Sequence, residues 1–234
     1  ATDATSYQVL VDEWTDSTPE EIVEHLNKWL PAFLALTGSA PLPWADRSPS
    51  LIDALERIAR VSGARNGWPY LLPLVAKTKT SQKRGMDRAA ECIRTIEGLL
   101  VRRGLCGIQN VSMGYFFKPL YPKVGEDNRA LRRTIASERH IQCPTGPELL
   151  KHVKQNDLYK NGQARYVLET LERQSSKNPG ELPPYPDLKK LSVDHVMPQT
   201  PSRKWKVGKA EHAASVNKLG NLVLLKQKTN SSKG

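Results

Sequence analysis

Residues 191–196 read Leu-Ser-Val-Asp-His-Val, and residues 221–225 read Asn-Leu-Val-Leu-Leu. The first segment alternates apolar and polar side chains and the second is a short apolar run, and both patterns are typical of β-strands. A long basic segment, residues 198–220, separates them. The sequence therefore predicts a small strand-loop-strand unit. We expect a closing helix to begin at Thr229 and to be cut short, because the sequence ends at Gly234.

The residues before this unit predict helices. Thr18-Pro19-Glu20-Glu21 is a capping-box sequence with proline at the first helical position, and Ser48-Pro49 is a second start signal. The clearest helix spans about Asp87 to Arg103, another spans about Gly162 to Arg173, and Pro31 is expected to break the first helix. Apolar residues spaced by three and four are expected to face a core: Ile22, Val23, Leu26, Trp29, Leu30, Phe33, Leu34, Leu51, Ile52, Leu55, Ile58, Ala59, Ala89, Cys92, Ile93, Ile96, Leu99, Leu100, Tyr166, Val167 and Leu171.

A change of composition separates the helical part from the strands. Residues 174–186 contain four prolines together with serine, asparagine and glycine, a composition that linkers favour and helices avoid. We therefore predict a helical scaffold over residues 1–175, a proline-rich linker over 176–187 and a small C-terminal unit over 188–234. The expected fold class is mainly α, with the sheet confined to the last unit.

The charge of the chain favours a polyanionic partner. Lysine and arginine number 35 against 24 acidic residues, which gives a net charge of +11 and a pI near 9.6. Residues 187–234 alone contain ten basic and three acidic residues, so most of the excess lies in and just before the predicted C-terminal unit. Such a concentration favours nucleic acid as the partner, although a basic protein without such a partner has the same composition.

Two further features of the composition bear on the compartment. No apolar stretch approaches the length of about 18 residues that a membrane span needs, and no signal peptide opens the sequence. The three cysteines, Cys92, Cys106 and Cys143, are far apart, which argues against a disulfide framework or a structural zinc site. We therefore expect a cytoplasmic protein without a membrane partner.

Asp194, His195, Asn221 and Asn230 form a set of residues suited to phosphodiester hydrolysis. A neutral imidazole can accept a proton from water. Carboxylate and amide oxygens are ligands that Mg²⁺ or Mn²⁺ prefers. Neighbouring strand residues point to opposite faces, so Asp194 and His195 can approach one phosphate only if the strand twists or ends there. From spacing alone the grouping fits either a catalytic site or a chance arrangement.

Basic residues surround this set. Arg203, Lys204, Lys206 and Lys209 lie on both sides of Trp205 in the segment between the strands. They would contact phosphates and make binding salt-dependent, or they would form a solvated loop with Trp205 packed on the core. The residues predicted to bind DNA are Arg203, Lys204, Lys206, Lys218, Lys226 and Lys228.

Several ordered motifs resemble the GmrSD C-terminal-domain family. The resemblance lies in Val193-Asp-His-Val-Met-Pro-Gln199, Leu219-Gly-Asn-Leu-Val-Leu-Leu225 and Asn230, and continues upstream in Leu99–Arg103, Asp157-Leu-Tyr159 and Arg165–Glu172. It covers most of residues 70–230, whereas residues 1–60 carry no motif of this kind. The family consists of HNH-type nucleases with a ββα-metal unit, so the resemblance implies such a unit here.

The resemblance also implies roles for individual residues. It assigns His195 as the general base, Asn221 as the residue that orients this base, Asp194 as a metal ligand and Asn230 as a second metal ligand. It implies a divalent cation, Mg²⁺ or Mn²⁺, and double-stranded phage DNA as the substrate, nicked one strand at a time. The alternative hypothesis is a non-catalytic basic module that binds DNA and docks a partner.

Complete members of this family resemble a fusion of two parts. Their N-terminal domain has an Asp-Gly-Gln-Gln-Arg motif, hydrolyses nucleotide and senses modified DNA, and no such motif occurs in this sequence. We therefore expect that domain of the same protein to be absent from this chain. The family includes modification-dependent restriction enzymes for glucosylated bases and the effector of DNA-phosphorothioation defence, and the residues do not choose between these targets.

Overall fold

The computed structural model describes residues 12–109, 113–175, 190–202 and 204–226, which form ten α-helices and one two-stranded sheet. In chain order they are α1 Pro19–Thr37, α2 Pro49–Ile58, α3 Trp68–Lys77, α4 Lys83–Leu105, α5 Met113–Phe117, α6 Leu120–Val124, α7 Asn128–Ser137, α8 Gly146–Gln155, α9 Ala164–Ser175, β1 Leu191–His195, α10 Lys209–Ser215 and β2 Leu222–Lys226. The mainly α fold with a small sheet is confirmed. Within these described ranges, none of the helices combines the length and the apolar character needed to cross a membrane.

Both predicted helix starts are confirmed. The Thr18 hydroxyl accepts a hydrogen bond from the Glu21 amide at 3.2 Å, and the Glu21 carboxylate accepts one from the Thr18 amide at 2.8 Å. Ser48 caps α2 by accepting from the Leu51 amide at 3.2 Å. In both helices proline occupies the first position, where its missing N–H has no intrahelical partner to lose.

The break predicted at Pro31 is wrong, because α1 continues through this residue to Thr37. A proline inside a helix removes one hydrogen bond and crowds the preceding turn, at a cost of about 3 kcal/mol. Immediately after it, however, α1 buries Ala32, Ala35 and Leu36. The packing of this end of the helix against its neighbours offsets the local cost of the proline.

The inward-facing stripe predicted for α1 is wrong for four of its seven residues. Val23, Leu26, Leu30 and Phe33 are 41–56% exposed, because the part of α1 that is buried against the rest of the scaffold lies at its C-terminal end. In α9, Leu171 is likewise exposed. Apolar spacing identified both helices but did not show how much of each stripe has a packing partner.

The core is built around α4. Its predicted apolar stripe is confirmed, because every residue of the stripe is buried: Ala89, Cys92, Ile93, Ile96, Leu99 and Leu100. Helices α2, α7 and α8 pack against it, while α3 joins α1 to α6 on the same scaffold. Burial also raises the pKa of the Cys92 thiol to about 11, so this cysteine is a packed core residue rather than a reactive thiol.

Helix α9 is attached to the scaffold by buried polar contacts that apolar spacing does not predict. The carboxylate of Glu97 on α4 pairs with Arg57 of α2 and accepts a hydrogen bond from the hydroxyl of Tyr166 on α9. Burial and the neighbouring Glu97 charge raise the pKa of Tyr166 well above its usual range, so the phenol stays protonated and remains a donor. One turn further along α9, the buried Glu169 pairs with Arg60 and Arg173.

The two strands pair antiparallel, with a register that runs from Leu191 opposite Lys226 to His195 opposite Leu222. Both strands contact α9. The predicted strand-loop-strand unit is wrong in one respect, because α10 lies between the strands. Alanines at positions 210, 213 and 214 favour a helix there. The prediction of a loop relied on the basic composition of the segment and gave no weight to this helix propensity. The predicted linker and the predicted closing helix lie outside the described residues.

Candidate active site

Asp194 and His195 lie where β1 ends. The Asp194 carboxylate accepts a hydrogen bond from the backbone amide of His195 at 2.8 Å, so it turns along the strand towards the strand end. The next amide, that of Val196, donates to the Asn221 carbonyl at 2.9 Å and extends the pairing of the two strands beyond His195. Strands β1 and β2 form a hairpin with α10 in the connection between them. Strand β1 therefore ends at His195, which is the condition for the adjacent side chains of Asp194 and His195 to serve one site.

The His195 imidazole is half-buried between two side chains from other segments. Its Nε2 lies 3.2 Å from the Oδ1 of Asn217, which is in the turn between α10 and β2. Its ring centroid lies 4.2 Å from that of Tyr159, which precedes α9, and the two ring planes are inclined by 50°. The candidate base is thus fixed by one hydrogen bond and one aromatic contact.

The Asn221 side chain bonds to the backbone of two segments, at Met197 and at Val216, and makes no hydrogen bond to the imidazole itself. Its Oδ1 accepts from the Met197 amide at 2.7 Å, and its Nδ2 donates to the Met197 carbonyl at 3.1 Å. The same Nδ2 donates to the Val216 carbonyl at 2.8 Å. Asn221 therefore holds the chain just after His195 and the chain just before Asn217, and any orienting effect on the base acts through these two segments.

Replacing Asn221 by alanine is expected to loosen the C-terminal unit locally. The change removes three hydrogen bonds and leaves the backbone groups of Met197 and Val216 to find other partners, which costs about 1 to 3 kcal/mol. Amide hydrogen exchange should become faster in residues 191–197 and 216–226 and stay unchanged in α4. Asn156→Ala, which removes one exposed amide contact at the end of α8, is the matched control. Unchanged exchange in the Asn221 variant would contradict the clamping role.

The structure describes some of the remaining predicted site residues, and Lys226, which pairs with Leu191, lies at the end of the sheet away from His195. Lys204 and Lys206 are exposed, and so is Trp205 at 42%, so this tryptophan is not buried in a core. The Lys218 ammonium lies 3.1 Å from a carboxylate oxygen of Asp157 and donates to the Gln155 carbonyl at 2.7 Å. Lys226 is in β2. The predicted residues Arg203, Lys228 and Asn230 lie outside the described residues.

Sequence reasoning missed two contacts of the site, Asn217 and Tyr159. No feature of the sequence indicates Asn217, because it stands 22 residues from His195 and belongs to none of the motifs that resemble the family. Tyr159 stands in the Asp157-Leu-Tyr159 motif, to which the sequence pattern assigns no function. The sequence thus indicated a place for Tyr159 but not its partner.

The donor atoms at the strand end suit a hard cation. One oxygen of Asp194 accepts the His195 amide, and a carboxylate retains further lone pairs for an oxygen-seeking metal such as Mg²⁺, which keeps several of its waters. Among the residues that the structure describes, no group of three or more histidine, cysteine or acidic side chains forms a softer or more complete metal site. The chemistry of Asp194 therefore fits a magnesium or manganese ligand.

Comparison with known proteins places this site in a family context. Residues 144–234 match the model of the family described as GmrSD restriction endonucleases, C-terminal domain. The C-terminal region is similar to that nuclease domain. The matched range contains α8, α9, the hairpin and every residue of the site, from Tyr159 to Asn221. No curated protein and no solved structure matches the chain.

The match supports a restriction endonuclease role for the C-terminal region, and such a nuclease implies DNA as the substrate. It extends over α8 and α9 as well as the sheet, and these helices supply the loop that contacts His195. The helices before residue 144 lie outside the matched range. Their relation to the nuclease rests on their contacts with α9 and with the loop before it.

Proposed function

We propose that the chain is a metal-dependent HNH-type DNA endonuclease of a bacterial restriction system directed against modified phage DNA. The observation that carries this proposal is the arrangement of His195. Its ring is held by Asn217, beside the Asp194 carboxylate, at the end of a hairpin within the region that matches a nuclease family. A module that only binds DNA has no need for an imidazole fixed in this way.

In this proposal each residue has one task. His195 accepts a proton from the attacking water. Asp194 and Asn230 hold Mg²⁺ or Mn²⁺, which when bound supplies positive charge for the phosphate and the departing 3′ oxygen. Asn221 keeps the end of β1 and the turn after α10 in place through its backbone hydrogen bonds. A single site of this kind cuts one strand in each encounter, so the expected product is nicked DNA.

Basic residues of the C-terminal region would bind the DNA backbone. Lys204 and Lys206 are free to reach phosphates, and Arg203, Lys218, Lys226 and Lys228 complete the proposed contact set. Lysine contacts to phosphate give affinity without sequence readout and weaken as salt rises. Lys218 differs from the others because it also bridges to Asp157, so it would contribute less to DNA affinity and more to the position of the loop.

The proposed context is a larger cytoplasmic system. The partners are double-stranded phage DNA and an N-terminal nucleotide-hydrolysing domain of the same protein. That domain would sense the modification, either a glucosylated base or a phosphorothioate. The helical scaffold stands between such a domain and the hairpin in sequence, and it contacts the segment that holds His195.

Supercoiled plasmid tests this function directly. With Mg²⁺ or Mn²⁺ we expect conversion to open circles, and with EDTA we expect none. In Asp194→Asn a neutral amide replaces the carboxylate with little change of shape, so half-maximal cleavage should need a cation concentration at least about tenfold higher. Gel assays over a metal titration measure this shift.

The same assay separates the nuclease from the binding module. Plasmid that is retarded but uncut at every metal concentration, equally in the wild type and in Asp194→Asn, would contradict the nuclease and support binding alone. Ser192→Ala is a suitable control, because Ser192 lies on the same strand but has no proposed role as a base or a metal ligand, and its hydroxyl donates to the Leu225 carbonyl at 3.3 Å. This variant should show the metal dependence of the wild type.

A further inference from the structure

The contact between Asn217 and His195 fixes the position of a proton. The Oδ1 of Asn217 lies 3.2 Å from Nε2, and an amide oxygen accepts hydrogen bonds but does not donate them. Nε2 must therefore carry the hydrogen. In a neutral imidazole the lone pair is then on Nδ1. The lone pair of Nδ1 is the one that can accept a proton from water, because Nε2 is engaged with Asn217.

Asn217 is itself held from two sides. Its backbone carbonyl accepts a hydrogen bond from the Leu158 amide at 2.8 Å, which connects the turn after α10 to the loop before α9. The carbonyl of the preceding residue, Val216, accepts from the Asn221 side chain at 2.8 Å. The turn is therefore fixed independently of His195, and its amide can act as a stationary acceptor for the imidazole.

Tyr159 restricts the imidazole in a second way. Its ring lies 4.2 Å from the His195 ring, at an inclination of 50°, and comes from the same loop as Leu158. An aromatic ring in this position covers one face of the imidazole and opposes rotation about its χ2 angle. The hydrogen bond selects which nitrogen is protonated, and the aromatic contact keeps the ring in the plane in which that bond forms.

The loop that carries Tyr159 is anchored in the helical scaffold. The Gln163 side chain is 3% exposed and bonds the backbone of Ser62 twice, accepting from its amide at 3.2 Å and donating to its carbonyl at 2.8 Å. Asn161 donates to the Gly104 carbonyl at 2.9 Å. These contacts join the loop to the chain after α2 and to the end of α4. The scaffold thus determines where Tyr159 meets His195.

We propose that Asn217 and Tyr159 are positioning residues that hold His195 as the Nε2-protonated tautomer and make Nδ1 the basic atom. This proposal rests on the proposed nuclease function for its role in catalysis. As water attacks, its oxygen bonds to phosphorus and its proton goes to Nδ1. The electron pair of the broken phosphorus–oxygen bond goes to the departing oxygen. Throughout the step the other ring proton stays on Nε2, which continues to donate a hydrogen bond to the Oδ1 of Asn217.

Nitrogen-15 NMR tests the tautomer without any cleavage reaction. In the metal-free, ¹⁵N-labelled chain at about pH 8 we expect His195 to show a protonated Nε2 and an unprotonated Nδ1. Asn217→Leu should return the ring to the mixture of tautomers that an unconstrained imidazole shows. A ring protonated on Nδ1 in the wild type, or a tautomer unchanged in Asn217→Leu, would overturn the proposal.

Conservative variants separate positioning from a structural role. Asn217→Asp retains an oxygen that can only accept, so it should keep the Nε2-protonated tautomer and most of the activity that Asn217→Leu loses. Tyr159→Phe keeps the ring and should match the wild type, whereas Tyr159→Ala frees the imidazole. For Asn217→Leu and Tyr159→Ala we expect kcat for plasmid nicking to fall about 100-fold with KM for DNA unchanged, because misplacing a catalytic group has an effect of this size.

The two readouts distinguish failure of this proposal from failure of the nuclease function. Wild-type chain that does not cut plasmid but shows the expected tautomer would refute the nuclease and leave the positioning of the ring established. Normal nicking by Asn217→Leu and Tyr159→Ala would refute the positioning role and leave the nuclease intact. Backbone amide spectra of α4 should coincide in all variants, and a rise in KM together with altered α4 spectra would count against positioning.

Discussion

Replacing His195 by alanine is expected to lower the rate of plasmid nicking by about 10³-fold, within the range that general-base catalysis contributes. The substitution removes the imidazole but keeps the backbone pairing of this residue with Leu222, so the hairpin should persist. Binding to DNA should not change, because the imidazole lies between Tyr159 and Asn217 and not among the exposed lysines. Initial rates on gels and fluorescence anisotropy with a DNA duplex measure the two quantities.

A matched control for this variant is His212→Ala. His212 is another half-buried histidine of the same unit, and its ring nitrogen lies 2.9 Å from the Pro198 carbonyl. Its loss should leave nicking close to the wild-type rate. Equal inactivation of both variants would indicate that the unit unfolds when either ring is removed. Full activity of His195→Ala would refute the assignment of this residue as the base.

Local signals in the sequence predicted the elements that depend on local chemistry. The caps at Thr18 and Ser48 and the stripe of α4 are confirmed, since each depends on residues within a few positions of one another. The failures at Pro31 and at the exposed stripe residues of α1 have a different origin. They depend on which other helix lies alongside, and spacing within one segment carries no information on that.

The contacts of the candidate site are likewise of two kinds, those set by local sequence and those set by tertiary packing. Adjacency in the chain and strand pairing bring Asp194, His195 and Asn221 to one end of the hairpin, and a reading of two strands was sufficient to predict this. The contacts of Asn217 and Tyr159 with the imidazole depend on a turn and a loop that meet only after the hairpin packs on α9. Such contacts require the tertiary arrangement and leave no mark in the spacing of the residues.

Removing the carboxylate of Glu97 is expected to destabilise the scaffold strongly. The Glu97 side chain is 7% exposed and pairs with Arg57, and it also accepts from the hydroxyl of Tyr166. In Glu97→Ala the guanidinium of Arg57 and the phenol of Tyr166 lose the carboxylate that each contacts, while both side chains remain largely buried. Breaking a buried pair in this way lowers the free energy of unfolding by about 3 to 5 kcal/mol, which urea denaturation can measure.

An exposed pair provides the control for Glu97. Glu24 and Lys28 are 3.9 Å apart on α1, with side chains 77% and 66% exposed. Since such pairs contribute little, Glu24→Ala should change the free energy of unfolding by less than about 1 kcal/mol. A loss in Glu97→Ala no larger than the loss in Glu24→Ala would show that the buried contacts contribute no more than a surface pair.

The expected effect of Glu97→Ala on nicking follows from the position of α9. This helix contacts both strands and follows directly on the loop of Tyr159, so its release from α4 should disturb the His195 ring as well as lower stability. Replacing Arg57, Glu97 and Tyr166 together by Leu, Met and Phe leaves no uncompensated buried charge, and such apolar replacements are often neutral or stabilising. If this triple variant recovers both stability and nicking, packing of α9 is sufficient to position the site. If it recovers stability alone, the polar contacts themselves set the register of α9 against the hairpin.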